Sequence, residues 1–167
     1  ETVRERLAQE TGRSVSACAE RVLTLSDGVF DKISEEKSPE GVICVAKYLD
    51  KCKKIATIYS DGKIPDAGET VVLLESVRDP ANVGAIIRSA AAFGVDRLIL
   101  SKDCADVYNA KAVRASMGTL FGQTVDRVGD LRGVIGQLRA SGRRVFAAAL
   151  DERAQRLGEF EVRAGDC

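Results

Sequence analysis

Between residues 71 and 150, short apolar runs alternate with stretches whose apolar positions recur at helical spacing. Val71, Val72, Leu73 and Leu74 form a continuous run, the pattern of a strand buried on both faces. Polar residues and Pro80 interrupt it over residues 76–81, and Asp79, standing before the proline, is held to extended backbone. Val83, Ile86, Ile87, Ala90 and Phe93 then fall on one stripe, which predicts a helix over residues 82–93 packed on a sheet. Asn82 is its expected N-cap and Gly94 its left-handed terminator. Residues 97–100 predict the next strand, 109–116 a short helix with Asn109 near its start, and 124–128 a third strand. Leu131, Val134, Ile135 and Leu138 mark a helix over residues 130–140 ending near Gly142, and residues 144–150 predict a fourth strand.

Strand and helix in turn argue for a parallel α/β sheet. The first 50 residues follow a different pattern. Residues 2–9 and 14–25 read as helices, the second with Ser14 as cap and Val15, Cys18, Ala19, Val22 and Leu25 on one stripe. Asp27 and Gly28 read as a turn, residues 31–40 as a charged loop or short helix, and 42–46 as a strand. A linker with Asp61, Gly62, Pro65 and Gly68 separates the two regions, and residues 55–59 within it offer a short strand. The expected division is 1–50, 51–68 and 69–167.

Composition narrows the chemistry. With 45% hydrophobic residues in 167, the chain can bury a core. No apolar run approaches the roughly 20 residues of a membrane-spanning helix, and no signal peptide is visible, which leads to an expected cytoplasmic location. Five scattered cysteines, no C-x-x-C pair and no histidine support neither a metal site nor a disulfide framework. The absence of histidine also excludes Ser-His-Asp and Cys-His catalysis. Basic and acidic residues number 25 each, so any nucleic-acid surface must be local. No G-x-G-x-x-G follows the first strand, which disfavours a dinucleotide-binding fold, and no P-loop is present.

Asn82 and Arg88, on a helix that starts at the carboxyl end of a parallel strand, are candidate site residues. Gly84, Ala85 and Ala92 share the Arg88 flank, and such small residues let a backbone or a ligand come close. The alternative is that Asn82 only caps and Arg88 only pairs with a surface carboxylate. Lys47, Lys51, Lys53 and Lys54 beside Tyr48 suit phosphates and a stacked base, or else form a solvated face.

The segment DPANVGAIIRSAAAFG resembles the first motif of the SpoU (TrmH-like) RNA ribose methyltransferases of the SPOUT superfamily, through Asn82, Gly84, Arg88, Phe93 and Gly94. A second block, AKAVRASMGTLF, resembles that family's Arg-x-Ser-x-Gly-x-x-Phe segment through Arg114, Ser116, Gly118 and Phe121. The resemblance implies a SPOUT-type parallel α/β sheet with a trefoil knot, preceded by a small L30e-like RNA-binding domain whose last part residues 1–50 would represent. It implies methyl transfer from S-adenosylmethionine to a ribose 2′-hydroxyl of rRNA or tRNA by a homodimer. In that scheme Arg88, held by Asn82, acts on the hydroxyl, and we add Glu75, at the end of the first strand, as the carboxylate that orients Arg88. Arg114 and Ser116 become RNA or site contacts, joined by Lys51, Lys53 and Lys54. Ala148 and Ala149 match the first cofactor-contacting loop. The family's later blocks, which build the knot and most of the cofactor pocket, have no counterpart before Cys167. A non-catalytic RNA-binding or dimerisation domain of the same descent is the alternative.

Overall fold

The computed structural model of the chain describes residues 9, 12, 19–36, 38–39, 41–46, 58–59, 65–156, 158–159, 161, 163 and 166–167. It divides into two compact units, Glu1–Lys47 and Tyr48–Cys167. Residues 2–8 of the first expected helix and the lysines at 51, 53 and 54 lie outside the described residues.

In the first unit one helix is described, α1 (Asp27–Ile33). Asp27 and Gly28 therefore open a helix rather than make a turn, with the Asp27 carboxylate at the positive end of the helix dipole. Residues 19–26 are not helical, against the expectation of a helix reaching Leu25. Val22, Leu23 and Leu25 are all exposed, and a short helix whose apolar stripe has no partner among the described residues is marginal in water. Residues 42–46 likewise join no ladder, and Val45 is 96% exposed. A strand exists only as half of a pair, and no partner is described here.

The second unit is a four-stranded, wholly parallel sheet. Its strands are β1 (Ile58–Tyr59), β2 (Val71–Leu74), β3 (Arg97–Ser101) and β4 (Thr124–Val128), in the order β1-β4-β3-β2. The helices are α2 (Pro80–Ala92), α3 (Ala110–Ala115) and α4 (Leu131–Ala140), with a 3-10 turn at Thr119–Gly122. Val71 pairs with Arg97 and Leu74 with Leu100 on one side of β3, and Arg97 pairs with Thr124 on the other.

Because side chains alternate across a strand, the apolar runs serve two cores. Leu74, Leu98, Leu100 and Val125 meet Val83, Ile87 and Ala90 of α2 on one face. Val71, Ile99 and Val128 meet Leu131 of α4 on the other, with Leu73, Val134 and Ile135 at the margin.

Arg97, the first residue of β3, ties that strand to β4 and to the segment just before β2. It donates from Nε to Glu69 Oε2 (2.9 Å), from Nη2 to Glu69 Oε1 (3.1 Å) and from Nη1 to Asp126 Oδ2 (2.7 Å). The bidentate bond to Glu69, then the Asp126 carboxylate, hold the guanidinium pKa above its ordinary value against the cost of its partial burial.

Helix α2 starts two residues earlier than its apolar stripe indicates. Asp79, not Asn82, is the N-cap: its carboxylate accepts from the Ala81 amide at 2.8 Å, and Pro80 occupies the first helical position, where a missing N–H costs nothing. The aspartate-proline pair is the sequence signal for this start. Asp79 itself is extended, as its place before proline requires, and Gly94 closes the helix with φ of 69°. Phe93, expected to pack on the sheet, is 86% exposed because it stands at the C-cap, past the last turn that faces the core.

Gly84 is required by packing. A Cβ there would sit 2.8 Å from the Ala115 Cβ and inside contact distance of the Ala112 carbonyl oxygen, so the backbones of α2 and α3 touch only because this side chain is absent.

The expected fourth strand over residues 144–150 does not form. Its start is bonded to Asp166 and Cys167, and Arg144 also donates to the Glu161 carbonyl (3.0 Å). Phe146 N–H donates to the Cys167 carbonyl (2.7 Å), Cys167 N–H donates to that of Arg144 (3.0 Å), and Val71 N–H reaches Asp166 O at 3.5 Å. Those two residues therefore lie between β2 and the start of the segment. Ala147 to Leu150 find no ladder partner and are exposed, since an apolar run makes a strand only where an edge is free to receive it.

Three substitutions test the packing and capping of α2. Gly84→Ala is expected to destabilise the protein by about 1–3 kcal/mol, the cost of overpacking a close backbone contact, measured by urea denaturation. Asp79→Ala is expected to cost about 1 kcal/mol in the same assay, while Asn82→Ala leaves stability within about 0.5 kcal/mol.

Candidate functional site

The carboxyl ends of β2 and β3 carry the loops in which the sequence placed the chemistry, the position where parallel α/β sheets bind ligands. The β2–α2 loop runs from Glu75 to Asp79 and delivers the chain to Asn82 within the first turn of α2. Its geometry is set by the neighbouring loop after β3. Ser76 has a left-handed backbone, with φ of 56°. Its N–H donates to Ser101 Oγ (2.9 Å) and its hydroxyl to Asp103 Oδ2 (2.6 Å), and the Ser101 hydroxyl donates to Asp103 Oδ1 (2.6 Å). These three bonds close a ring. The hydroxyls of Ser101 and then Ser76 hold the Asp103 carboxyl below the usual carboxylate range. Beside the ring, Ala105 N–H donates to the Val77 carbonyl (2.9 Å), and Arg127 of β4 donates to the carbonyls of Cys104 (2.9 Å) and Ala105 (2.7 Å). Cys104 is buried beneath, its Sγ 3.4 Å from the Leu74 carbonyl oxygen, and acts as core filler.

Asn82 and Arg88 are both exposed on α2 but do not share a face. Six residues of helix separate them by about 9 Å along the axis and roughly 120° around it. Asn82 lines an open apolar groove of about 500 Å³ with Val72, Val77, Ala85, Ile86, Ser89 and Phe93 among its walls. Arg88 lies one turn past Gly84, on the flank that α3 approaches. The structure contains no hydrogen bond between Asn82 and Arg88 and no ion pair between Glu75 and Arg88; Glu75 is exposed at the end of β2. What Asn82 gains from Asp79 taking the cap is a side chain free of the helix end.

The second motif block forms α3 and the turn after it. Asn109 caps α3, its side chain accepting from Lys111 N–H at 2.9 Å. Arg114 is exposed in the last turn. Ser116 is fully buried and spends its hydroxyl on the Val113 carbonyl (2.6 Å), so it supports the turn and offers nothing to an external ligand. Met117 follows with φ of 52° and Gly118 with 84°, two successive left-handed residues that leave Met117 and Phe121 exposed beside the α3 end.

Ala148 and Ala149 are exposed and border neither the α2 groove nor a second open groove formed by Ile135, Arg139, Arg143, Arg144, Val145 and Ala147. The described residues thus do not make a cradle for an adenosine-bearing cofactor by themselves. Among the described residues no group of three His, Cys, Asp or Glu side chains is placed to hold a metal, and no helix is long and apolar enough to cross a membrane.

Sequence pattern alone did not single out Ser76, Ser101, Asp103 and Arg127. Two serines at strand ends and an aspartate in a loop are ordinary residues until the pairing of β2 with β3 brings them together.

Comparison with known proteins sets these features in a lineage. The chain is 31% identical over 130 residues to the 23S rRNA (guanosine(2553)-2'-O)-methyltransferase RlmP of Bacillus subtilis, covering 78% of this chain and 47% of that protein. The SpoU methyltransferase AviRb of Streptomyces viridochromogenes, solved in complex with AdoMet, is 35% identical, with 52% of this chain and 37% of that one covered at a TM-score of 0.45. A solved RNA 2'-O ribose methyltransferase is 19% identical with a TM-score of 0.55 over 81% of this chain and 50% of its own, a likeness of fold. The chain spans less than half the length of the curated relatives it matches. The sequence profile of the SpoU rRNA Methylase family matches residues 69–167, which contain the sheet from β2 onward, both motif blocks and the loop ring, and the chain belongs to that family.

Proposed function

We propose that the whole protein methylates a ribose 2′-hydroxyl of rRNA or tRNA, acting in the cytoplasm as a homodimer. The methyl donor implied by the family is S-adenosylmethionine, which supplies an electrophilic methyl group. The carrying observation is Arg88: an exposed guanidinium with no ion pair among the described residues, on the helix that leaves the carboxyl end of β2, within the matched segment.

A ribose hydroxyl is a weak nucleophile at neutral pH, and oxyanion character grows on it as it attacks. Arginine is protonated throughout the working range, which makes it a poor general base but a permanent positive charge for that oxygen. Asn82, at the other side of the α2 amino end, adds a neutral donor and acceptor suited to the ribose or the adjoining phosphate. Glu75, at the end of β2, becomes the partner that orients Arg88 once RNA is bound. Arg114 and the lysines at 51, 53 and 54 serve phosphate contact, and the exposed Met117 and Phe121 give a base a surface to stack on. The small L30e-like domain of residues 1–50 is proposed as part of the RNA-binding surface, and residues 148–149 as one edge of the cofactor site.

A second reading is favoured by the open setting of Ala148 and Ala149: an RNA-binding or dimerisation domain without catalysis. Calorimetric titration of S-adenosylmethionine into the protein separates the two. Saturable one-site binding supports the enzyme, and no heat at millimolar ligand supports the second reading.

In the whole protein, Arg88→Ala is expected to lower kcat for methyl transfer to RNA by about 10²- to 10³-fold, with the KM for S-adenosylmethionine little changed. Glu75→Gln should lower kcat by about threefold or more. Wild-type rates in tritiated-methyl transfer assays of both variants would remove these side chains from the site.

A further inference from the structure

The geometry points to Asp103 as a positioning residue for the motif helix: through Ser76 and Ser101 it fixes the direction in which the chain leaves β2, and so where Asn82 and Arg88 stand. This inference rests on the methyltransferase reading for its effect on rate, though not for its effect on the loop.

Ser76 is the strained point of the loop. A non-glycine residue with φ of 56° occupies a conformation that an L side chain rarely adopts, and it persists only where its surroundings over-determine it. Here they do. One hydroxyl oxygen, Ser101 Oγ, accepts the Ser76 amide at 2.9 Å while donating its own proton to Asp103 Oδ1 at 2.6 Å. The Ser76 hydroxyl donates to Asp103 Oδ2 at 2.6 Å. The three bonds run in a consistent sense: two hydroxyls and one N–H donate, and one hydroxyl oxygen and both carboxylate oxygens accept; Cys104 Sγ lies 3.4 Å from the same Ser101 Oγ. Rotating Ser76 to an ordinary φ breaks two of the three bonds at once. Arg78 approaches the same carboxylate at 3.8 Å from solvent, too exposed to hold the loop.

From Ser76 to Asn82 the chain has little freedom in which to lose that direction. Val77 is tied through its carbonyl to Ala105 N–H, Asp79 is extended, Pro80 has a fixed φ, and Asp79 caps the helix. Ser101 is buried at the end of the central strand and is held by pairing with Val128. Arg127 anchors the next residues, Cys104 and Ala105, to β4. Asp103 thus joins a rigid frame to the one strained residue in the loop that carries the site. It contacts no reacting atom; it acts through the position of Asn82 and Arg88.

The test uses the whole protein with Asp103→Ala and Asp103→Asn, read in two ways. Asparagine retains an acceptor for Ser101 and a donor that the Ser76 hydroxyl can accept, so it keeps the ring, whereas alanine removes it. Amide hydrogen exchange, which needs no activity, is expected to show the Ser76 amide, which donates to Ser101 Oγ, and the Ala105 amide, which donates to the Val77 carbonyl, losing about tenfold or more of their protection in Asp103→Ala and recovering most of it in Asp103→Asn. Methyl transfer is expected to show kcat about tenfold lower in Asp103→Ala with the KM for S-adenosylmethionine within about twofold, and near wild type in Asp103→Asn. Unchanged protection at Ser76 in Asp103→Ala overturns the proposal, and so does lost protection with kcat unchanged. A wild-type protein that transfers no methyl group counts against the enzymatic reading alone, and the exchange data then judge the loop anchor by themselves.

Discussion

The pairing of β3 with strands on both sides is the constraint on which the rest of this unit depends. Strand β3 is buried from Leu98 to Ser101, its apolar residues face two different cores, and both of its backbone edges are in ladders. Register matters at each end. At the amino end Arg97 is aligned to reach Glu69, just before β2, and Asp126 in β4, so a shift by one residue would leave a nearly buried Asp126 carboxylate without its partner. At the carboxyl end the same register places Ser101 opposite the exit of β2, where its hydroxyl meets the Ser76 amide. One strand thereby fixes both the stability of the sheet and the geometry of the loop above it.

Helices α2 and α3 extend that order outward by a different means. Their contact is made by small residues, Gly84 against Ala112 and Ala115, and close backbone approach leaves no slack for one helix to slide on the other. The result is that Arg88, one turn past Gly84, and the turn after α3 with its two left-handed residues, Met117 and Gly118, are presented from a single packed unit. The two non-glycine residues with positive φ among those described, Ser76 and Met117, lie in the two loops nearest to the motif residues. Strain of this sort is concentrated where a surface has to be held in one shape.

The residues of the proposed site divide by how they were legible. Asn82, Arg88 and Arg114 stand out from the chain itself, because local spacing and motif composition put them on helices near strand ends. Ser116 stands out by the same route but serves a structural role, because burial, which no local pattern encodes, turns its hydroxyl inward. Glu75 lies where the sequence placed it, but the ion pair expected with Arg88 is not made. Asp103 has no local signal at all. Its significance comes from a contact with Ser76, a residue 27 positions earlier.

For this protein the sequence by itself determined the elements whose cause is local or periodic. The buried strands β2, β3 and β4, the helices α2, α3 and α4, the glycine that ends α2 and the parallel order that follows from strand-helix alternation are all consequences of runs, stripes and turn residues. Tertiary structure decided whatever depends on a partner. Residues 144–150 have the composition of a strand and remain unpaired past Phe146, and residues 42–46 and 19–25 have the stripes of a strand and a helix with nothing described to cover them. The ring of Ser76, Ser101 and Asp103 exists only because β2 and β3 pair in one register. A hydrogen bond between distant residues has no periodicity, so only the assembled sheet could reveal it.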